Sequence, residues 1–476
     1  MAKLYIFAIG GSGARVIRSL TMLFAAGLKP GGFNEVLPIL IDPDENNGSL
    51  KKTNTLLNNY LSLKGISGKL DFFKTKLTGL HNGNFYFDVP KIKDASGKEV
   101  DPTTSFGDYV GREVLKGNTR DLVELLFSGK VSDEKSSDLL DLPMNKGFVG
   151  NPNIGSVVMS NFVNSLTFDK FVSGDNAINA RNGDRVLFIT SIFGGTGAAG
   201  FPAILNKIRN YKEPGGAPKY DVNKAIVGSI TMLPYFNVET IRGGGGVNSS
   251  AFIPKTKSAL LYYKDSVYKH VDSFYYVGMD NPQTTFSNET GGEKQKNRAL
   301  FAEFVAALAV LDFAQMSEEQ IKSGGKYKQF FDLPSYAELK ISNLLGDQKN
   351  NVETSFKRMF MLKAYIEEKL ESNLKARRAW TGLRSGNAVN TDNIDKIKKF
   401  FEDELSPWLE ELGVDGGDAK PVPKFLPFGN NFNFGNSDEF SISLDEKAEE
   451  IGTELKSNVE YAPMLLNLAI NERIGA

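Results

Sequence analysis

"SIFGGTGAAGFPAIL", residues 191–205, sets a cluster of glycines and a threonine between two apolar runs. The run that leads into it, "RVLFITSI" (185–192), is apolar almost throughout, as a strand buried on both faces must be. The run that follows has helical character. The stretch therefore reads as a strand–turn–helix corner. Such a corner leaves backbone N–H groups unpaired at a helix N-terminus, where the helix dipole also favours an anion. Glycine lets that backbone approach phosphate oxygens closely, and Thr196 adds a hydroxyl donor. A second corner of the same kind, "FAIGGSGARVIRSL" (7–20), stands near the start of the chain. Each is a tight turn in its own right. Together, at the carboxyl ends of buried strands, they point to one phosphate-bearing ligand, because ligands of open α/β sheets bind at that edge.

Working outward, apolar runs at 3–9, 36–41, 225–233 and 272–278 repeat the pattern of 185–192. Helix-like segments at 13–27, 156–172, 197–211 and 249–270 fall between them. This is the sequence of a doubly wound parallel α/β sheet over residues 1–315. Residues 51–146 are polar and lysine-rich and read as an insertion on the surface of that domain. A long apolar helix is expected at 297–315. Residues 316–476 read as a mainly helical C-terminal domain, with a helix ending at Pro407, a loop at 414–438 and a last helix through 443–472.

Composition bounds the partners. The 476 residues carry 56 Lys and Arg against 57 Asp and Glu, so no net basic field draws nucleic acid. With no cysteine, disulfides and thiolate chemistry are excluded, which fits a reducing cytoplasm. The N-terminal apolar run is too short for a signal peptide. The run "RALFAEFVAALAVLDFAQM" carries Glu303 and Asp312 and reads as a buried core helix, not a membrane span. His81 and His270 lack metal-ligand spacing. The 34 phenylalanines, without basic residues between them, read as core.

Neither glycine corner is a Walker loop, since GxxxxGK[ST] is absent. The first can be read as a dinucleotide fingerprint from Gly11, with Val16 in place of the third glycine and Asp42 as the ribose-binding acid. That reading, a nicotinamide-dinucleotide enzyme, leaves the second corner unexplained.

Six segments in order resemble the tubulin/FtsZ family of GTPases, in divergent bacterial form. "FGGTGAAG" (193–200) is similar to the family's GGGTGTG loop. "IFAIGGSGARVIRSL" resembles its first phosphate-facing loop, and "ILIDPDENN" places Asp44 on its acidic residue. "GFVGNPNIG" (147–155) resembles "GAGANPEIG", near the terminal phosphate. "SITMLPYFNVETIR" places Glu239 on the ribose-binding glutamate and Arg242 on a nearby arginine. "HVDSFYYVGMDN" resembles the strand that follows, after which Asn297 stands where the family contacts guanine.

The resemblance covers residues 1–45 and 147–315. It implies that Gly10, Gly11, Ser12, Gly13, Ala14 and Arg15, with Gly194, Gly195, Thr196, Gly197 and Ala198, hold the α- and β-phosphates of GTP or GDP. Gly150, Asn151 and Pro152 would approach the γ-phosphate. Asp42 closes the strand that leads to Asp44, and Asp44 would hold Mg²⁺ through water. Asp44 is equally a turn residue, and Asn297 equally a helix N-cap.

The family completes hydrolysis with a carboxylate from the next subunit of a head-to-tail filament. That motif is missing from its expected place. Glu318 is the first substitute and Asp312, in "LDFAQ", the second, so slow turnover is expected. A filament-forming GTPase and a non-polymerising GTP-binding scaffold both remain open. Partner proteins would bind through the 51–146 insertion or the C-terminal domain.

Overall fold

A computed structural model describes the chain except residues 1, 45, 64–65, 67–69, 81–83, 88–104, 129–138, 145–146, 164–167, 174–175, 213–218, 241–248, 290, 324–326, 334–337, 342–347, 383–387, 414–423, 429–436, 452–457 and 475–476. β1 (Lys3–Ile9) runs into α1 (Gly10–Ala25), and β2 (Glu35–Ile41) precedes α2 (Gly48–Ser62). Then come α3 (Phe106–Tyr109), α4 (Asn118–Phe127) and α5 (Pro152–Phe162). β3 (Arg185–Ser191) leads into α6 (Gly195–Asn210), followed by β4 (Ile226–Met232) and short β5 (Asn237–Val238). α7 (Phe252–Tyr262), β6 (Ser273–Met279), short β7 (Thr285–Phe286) and α8 (Phe301–Gln315) complete the first part. The remainder comprises α9 (Glu318–Ser323), β8 (Tyr327–Leu333), β9 (Glu338–Leu339), α10 (Gln348–Glu368) and α11 (Leu370–Lys375). It ends with α12 (Asp392–Phe400), α13 (Ser406–Gly413), β10 (Lys424–Phe425), α14 (Ser437–Ile451) and α15 (Tyr461–Ile474).

Six strands pair in parallel in the order β2-β1-β3-β4-β6-β8. Side chains of β1 alternate between two cores. Leu4, Ile6 and Ala8 pack with α1, α2 and α8, whereas Tyr5, Phe7 and Ile9 pack with α5 and α6. Both faces are covered, so the strands read as continuous apolar runs. The five runs found in the sequence form β1, β2, β3, β4 and β6. Because β2 and β3 flank β1 on opposite sides, the winding reverses there. The glycine corners after β1 and β3 are consequently neighbours at the carboxyl edge of the sheet.

Several expectations need correction. Residues 51–146 are not merely a surface insertion. Val36 of β2 donates its N–H to Lys76 O and accepts from Thr78 N, and Leu40 of β2 donates to Phe85 O and accepts from Phe87 N. Leu77 and Tyr86 thereby make parallel bridges to β2. Leu57, Tyr60, Phe72, Phe73 and Phe85 are fully buried. Charged residues around these short apolar pieces hide them in the sequence.

The C-terminal part is mainly helical, but it also supplies β8 to the edge of the sheet, and β9 and β10 pair in parallel. β8, "YKQFFDL", mixes polar and apolar residues, as edge strands do. The helix expected to stop at Pro407 continues into α13. Residues 401–405 form a π turn between α12 and α13, and such bulges relieve the backbone bonds a proline cannot make. The single helix expected at 443–472 is two, α14 and α15. α8 begins at Phe301 rather than at residue 297, because Leu300 is its N-cap and donates its backbone N–H back to the Glu303 carboxylate. No described helix is long and apolar enough to cross a membrane.

Candidate functional site

A cleft opens at the carboxyl edge of the sheet, where the corners after β1 and β3 meet the loop before α5 and the loops before α2 and α8. Gly10, Gly11, Ser12 and Arg15 line it from α1, and Gly194, Gly195, Thr196 and Gly197 from α6. Neither helix has a side-chain cap or an acid in its first turn. Their leading N–H groups and dipoles therefore act unopposed on the cleft. Gly10 takes φ +78°, a region that favours glycine, and a Cβ there would face Gly197 N and Thr196 Cβ at 3.7 Å. A Cβ on Gly195 would lie 2.9 Å from Phe148 Cβ and 3.0 Å from Asn151 N. The α6 turn and the 147–151 loop thus touch through backbone.

That loop is strained. Gly147 (φ +66°), Val149 (φ +43°) and Gly150 (φ +72°) all take left-handed values, and for β-branched Val149 this is a real outlier. Gly150 lines the cleft and its carbonyl accepts a hydrogen bond from Lys255 Nζ at 2.6 Å. Burial pushes the Lys255 ammonium below its ordinary pKa.

The acidic corner sits beside it. Asp42 and Asp44 line the cleft and are both buried. Asp42 Oδ1 accepts Asp44 N at 3.0 Å, and Asp44 Oδ2 accepts Gly292 N at 2.6 Å. Burial pushes the Asp42 carboxyl up to about 7. The Asp44 N–H opposes that shift and the Asp44 charge adds to it. A carboxyl with that environment is suited to a divalent cation, which favours the charged form. Among the described residues no group of three or more His, Asp or Glu gathers as a metal cage.

At the floor of the cleft, Arg15 donates Nε to Glu303 Oε1 at 2.5 Å and Nη2 to Tyr235 OH at 2.9 Å. Tyr235 OH lies 3.1 Å from Ser12 Oγ and 2.9 Å from Glu303 Oε1. Arg15 and Glu303 are buried, and Glu303 Oε2 also accepts Leu300 N at 2.9 Å. The neighbouring tyrosine and glutamate outweigh burial and raise the Arg15 pKa further. A fixed cation thus stands in the cleft, anchored to the head of α8. Phe193, Phe236 and Phe252 form an apolar wall beside it. The Phe193 and Phe252 rings are 4.7 Å apart, and the Arg15 guanidinium lies 5.8 Å from the Phe236 centroid.

Asn297 lines the cleft from the loop before α8. It is not the helix cap, which is Leu300. Asn47, the cap of α2, donates to Gln295 Oε1 at 2.6 Å, tying that loop to α2.

Other expected residues stand apart from the lining. A Cβ on Gly13 would meet Ala8 C and Ile189 O at 2.8 Å, so this glycine lets α1 press on the sheet. Ala14 is wholly buried in the core, and Ala198, in the first turn of α6, is half-buried and outside the lining. Asn151 and Pro152 open α5, where Asn151 Nδ2 bonds Val149 O at 3.1 Å. Glu239 is exposed beside the lining residue Val238, and its carbonyl accepts Asn288 Nδ2 at 2.7 Å. Arg242 lies outside the described residues.

Glu318 and Asp312 are at the opposite, amino edge of the sheet. Arg185, the first residue of β3, donates to Phe313 O at 2.9 Å and feels the charge of Glu318. Glu318 is exposed and pairs with Lys322, and Asp312 accepts Tyr275 OH at 2.6 Å.

Sequence reasoning missed Tyr235, Glu303 as a site residue, Lys255, Gln295 and the phenylalanine wall. Glu303 carried a signal: a lone acid inside an apolar helix needs a partner. The others have none that is local. The chain matches no protein-family model and no curated protein.

Proposed function

We propose that the chain is a guanine-nucleotide-binding protein of tubulin/FtsZ type, which assembles head-to-tail with GTP bound and turns it over slowly. One observation supports this above the rest: two uncapped glycine corners, Asp42, Asp44, the 147–150 loop and Asn297 converge on one cleft. The corners offer N–H donors and Thr196 a hydroxyl for the phosphates, beside the Arg15 guanidinium that Glu303 holds in place. Asp42 and Asp44 suit Mg²⁺, which takes one or two carboxylates beside phosphate oxygens. The Asn297 amide has both the acceptor for guanine N1–H or N2–H and the donor for O6, so a loop that fixes the amide in that orientation favours guanine over adenine. Glu318 lies at the edge of the sheet remote from the cleft. A head-to-tail contact brings such an edge to the neighbour's nucleotide, and an open contact of that type grows filaments.

The scaffold reading shares the same cleft without assembly. The dinucleotide reading uses Asp42 as the ribose acid but gives the α6 corner no role. Calorimetry with GTP, ATP and NAD, beside electron microscopy with and without GTP, tests the three. GTP preference with GTP-dependent filaments is expected. Tight NAD binding without GTP binding overturns the proposal, and GTP binding without filaments favours the scaffold.

A further inference from the structure

Glu411, on α13, stands far from the cleft in sequence yet holds three of the elements that form it. Its carboxylate pairs with Arg18 of α1 and with Lys52 of α2. The same carboxylate accepts Ala299 N at 2.7 Å, and its carbonyl accepts Arg298 Nη1 at 2.9 Å. Ala299 is two residues beyond Asn297. Arg18 is buried, and the opposed effects of burial and these two cations leave the Glu411 carboxyl below its ordinary pKa. Trp408, one turn earlier and fully buried, donates Nε1 to Ser19 at 3.3 Å, which fixes α13 on α1.

We infer that Glu411 is a positioning residue for the base end of the cleft: through it, the C-terminal helices set where Asn297 stands and so how well the site selects its base. The inference rests on the nucleotide reading above. A loop that presents a single amide to a base edge must be held from behind, because selectivity depends on geometry within a fraction of an ångström. Here the hold on residues 298–299 comes from a segment over a hundred residues away. The carboxylate makes one continuous support from α1 and α2 to the loop. The α1 corner has further anchors, the close fit of Gly13 on β1 and the Arg15–Glu303 pair, so the loop before α8 depends on the clamp more than the corner does.

The test uses the full chain with Glu411→Gln, which keeps an acceptor for Ala299 N but loses the charge, and with Arg298→Ala, which cuts the second half of the clamp. Arg298→Ala guards against a misfolded Glu411→Gln, since it leaves the buried Arg18 pair intact. GTP, ATP and inorganic tripolyphosphate affinities are measured by calorimetry. In both variants GTP is expected to weaken by about tenfold, with ATP and tripolyphosphate unchanged, so the selectivity ratio falls. Equal weakening of all three probes would mean a merely structural role and overturn the inference. So would unchanged GTP affinity beside a wild type that prefers GTP. A wild type that binds no GTP overturns the function reading itself, and this inference with it.

Discussion

Arg15 and Glu303 form a buried ion pair, Nε to Oε1 2.5 Å, across 288 residues of chain. It joins the first glycine corner to the head of the central helix. Breaking such a pair strands a charge in a low-dielectric interior and costs about 3–5 kcal/mol. Glu303→Ala is expected to lower the unfolding free energy from urea titration by that amount, with a lower midpoint, whereas Glu303→Gln, which still accepts from Arg15 and Tyr235, loses less. Equal midpoints for wild type and Glu303→Ala would refute the coupling.

Asp42 gives a pH dependence whose sign is fixed. Its folded pKa, about 7, lies above the unfolded value of about 3.9. Between those values the folded chain keeps a proton that the unfolded chain has lost. Stability therefore falls as pH rises through that window and is level above it, by on the order of 4 kcal/mol at most. Asp42→Asn, melted in EDTA without nucleotide, is expected to lack this component. The wild-type minus Asp42→Asn difference should grow from pH 4 to pH 7; a flat difference contradicts the burial argument.

The α6 corner separates binding from packing. Thr196 lines the cleft and is half-buried, so the near-isosteric Thr196→Val is expected to weaken GTP about tenfold with an unchanged melting temperature. Gly195→Ala forces a methyl against Phe148 and the Asn151 nitrogen, and is expected to lower both affinity and melting temperature. Calorimetry and thermal melts on the pair read the two effects apart.

Deleting 55–140 with a short linker is expected to unfold the protein. The cut removes the buried Phe72, Phe73, Phe85 and Phe87 together with the main-chain bonds to β2. A surface module would leave a native circular dichroism spectrum, which would count against the sheet-edge role of residues 76–78 and 85–87.

At the amino edge, Glu318→Gln is expected to leave GTP affinity of the monomer unchanged and to reduce phosphate release from pelleted protein at least tenfold. Asp312→Asn alters the acceptor for Tyr275 and is expected to cost about 1 kcal/mol of stability. Rapid release by unassembled Glu318→Gln would place the catalytic group within one chain's own cleft.

The sequence by itself determined what is local. Five buried strands, both glycine corners and the helix-rich C-terminal part follow from periodicity, from glycine placement and from apolar runs, each a matter of neighbours along the chain. So does the cluster Gly10–Arg15, Asp42–Asp44 and Gly194–Gly197, because each stands at the carboxyl end of a recognisable strand. The tertiary structure decided which of these meet and what holds them. Strand order put the corners after β1 and β3 side by side. Gly13 and Ala14 turned inward because a helix has two faces and only one of them looks at the cleft. β8 and the edge pieces 76–78 and 85–87 were hidden, since short segments that mix polar and apolar residues have the pattern of a loop. Arg15 found Glu303, and Glu411 found Arg18, Lys52 and Ala299, through closure of long loops whose ends carry no mutual signal in sequence. Such pairs are fixed only when the packed cores on both faces of the sheet bring their helices into contact.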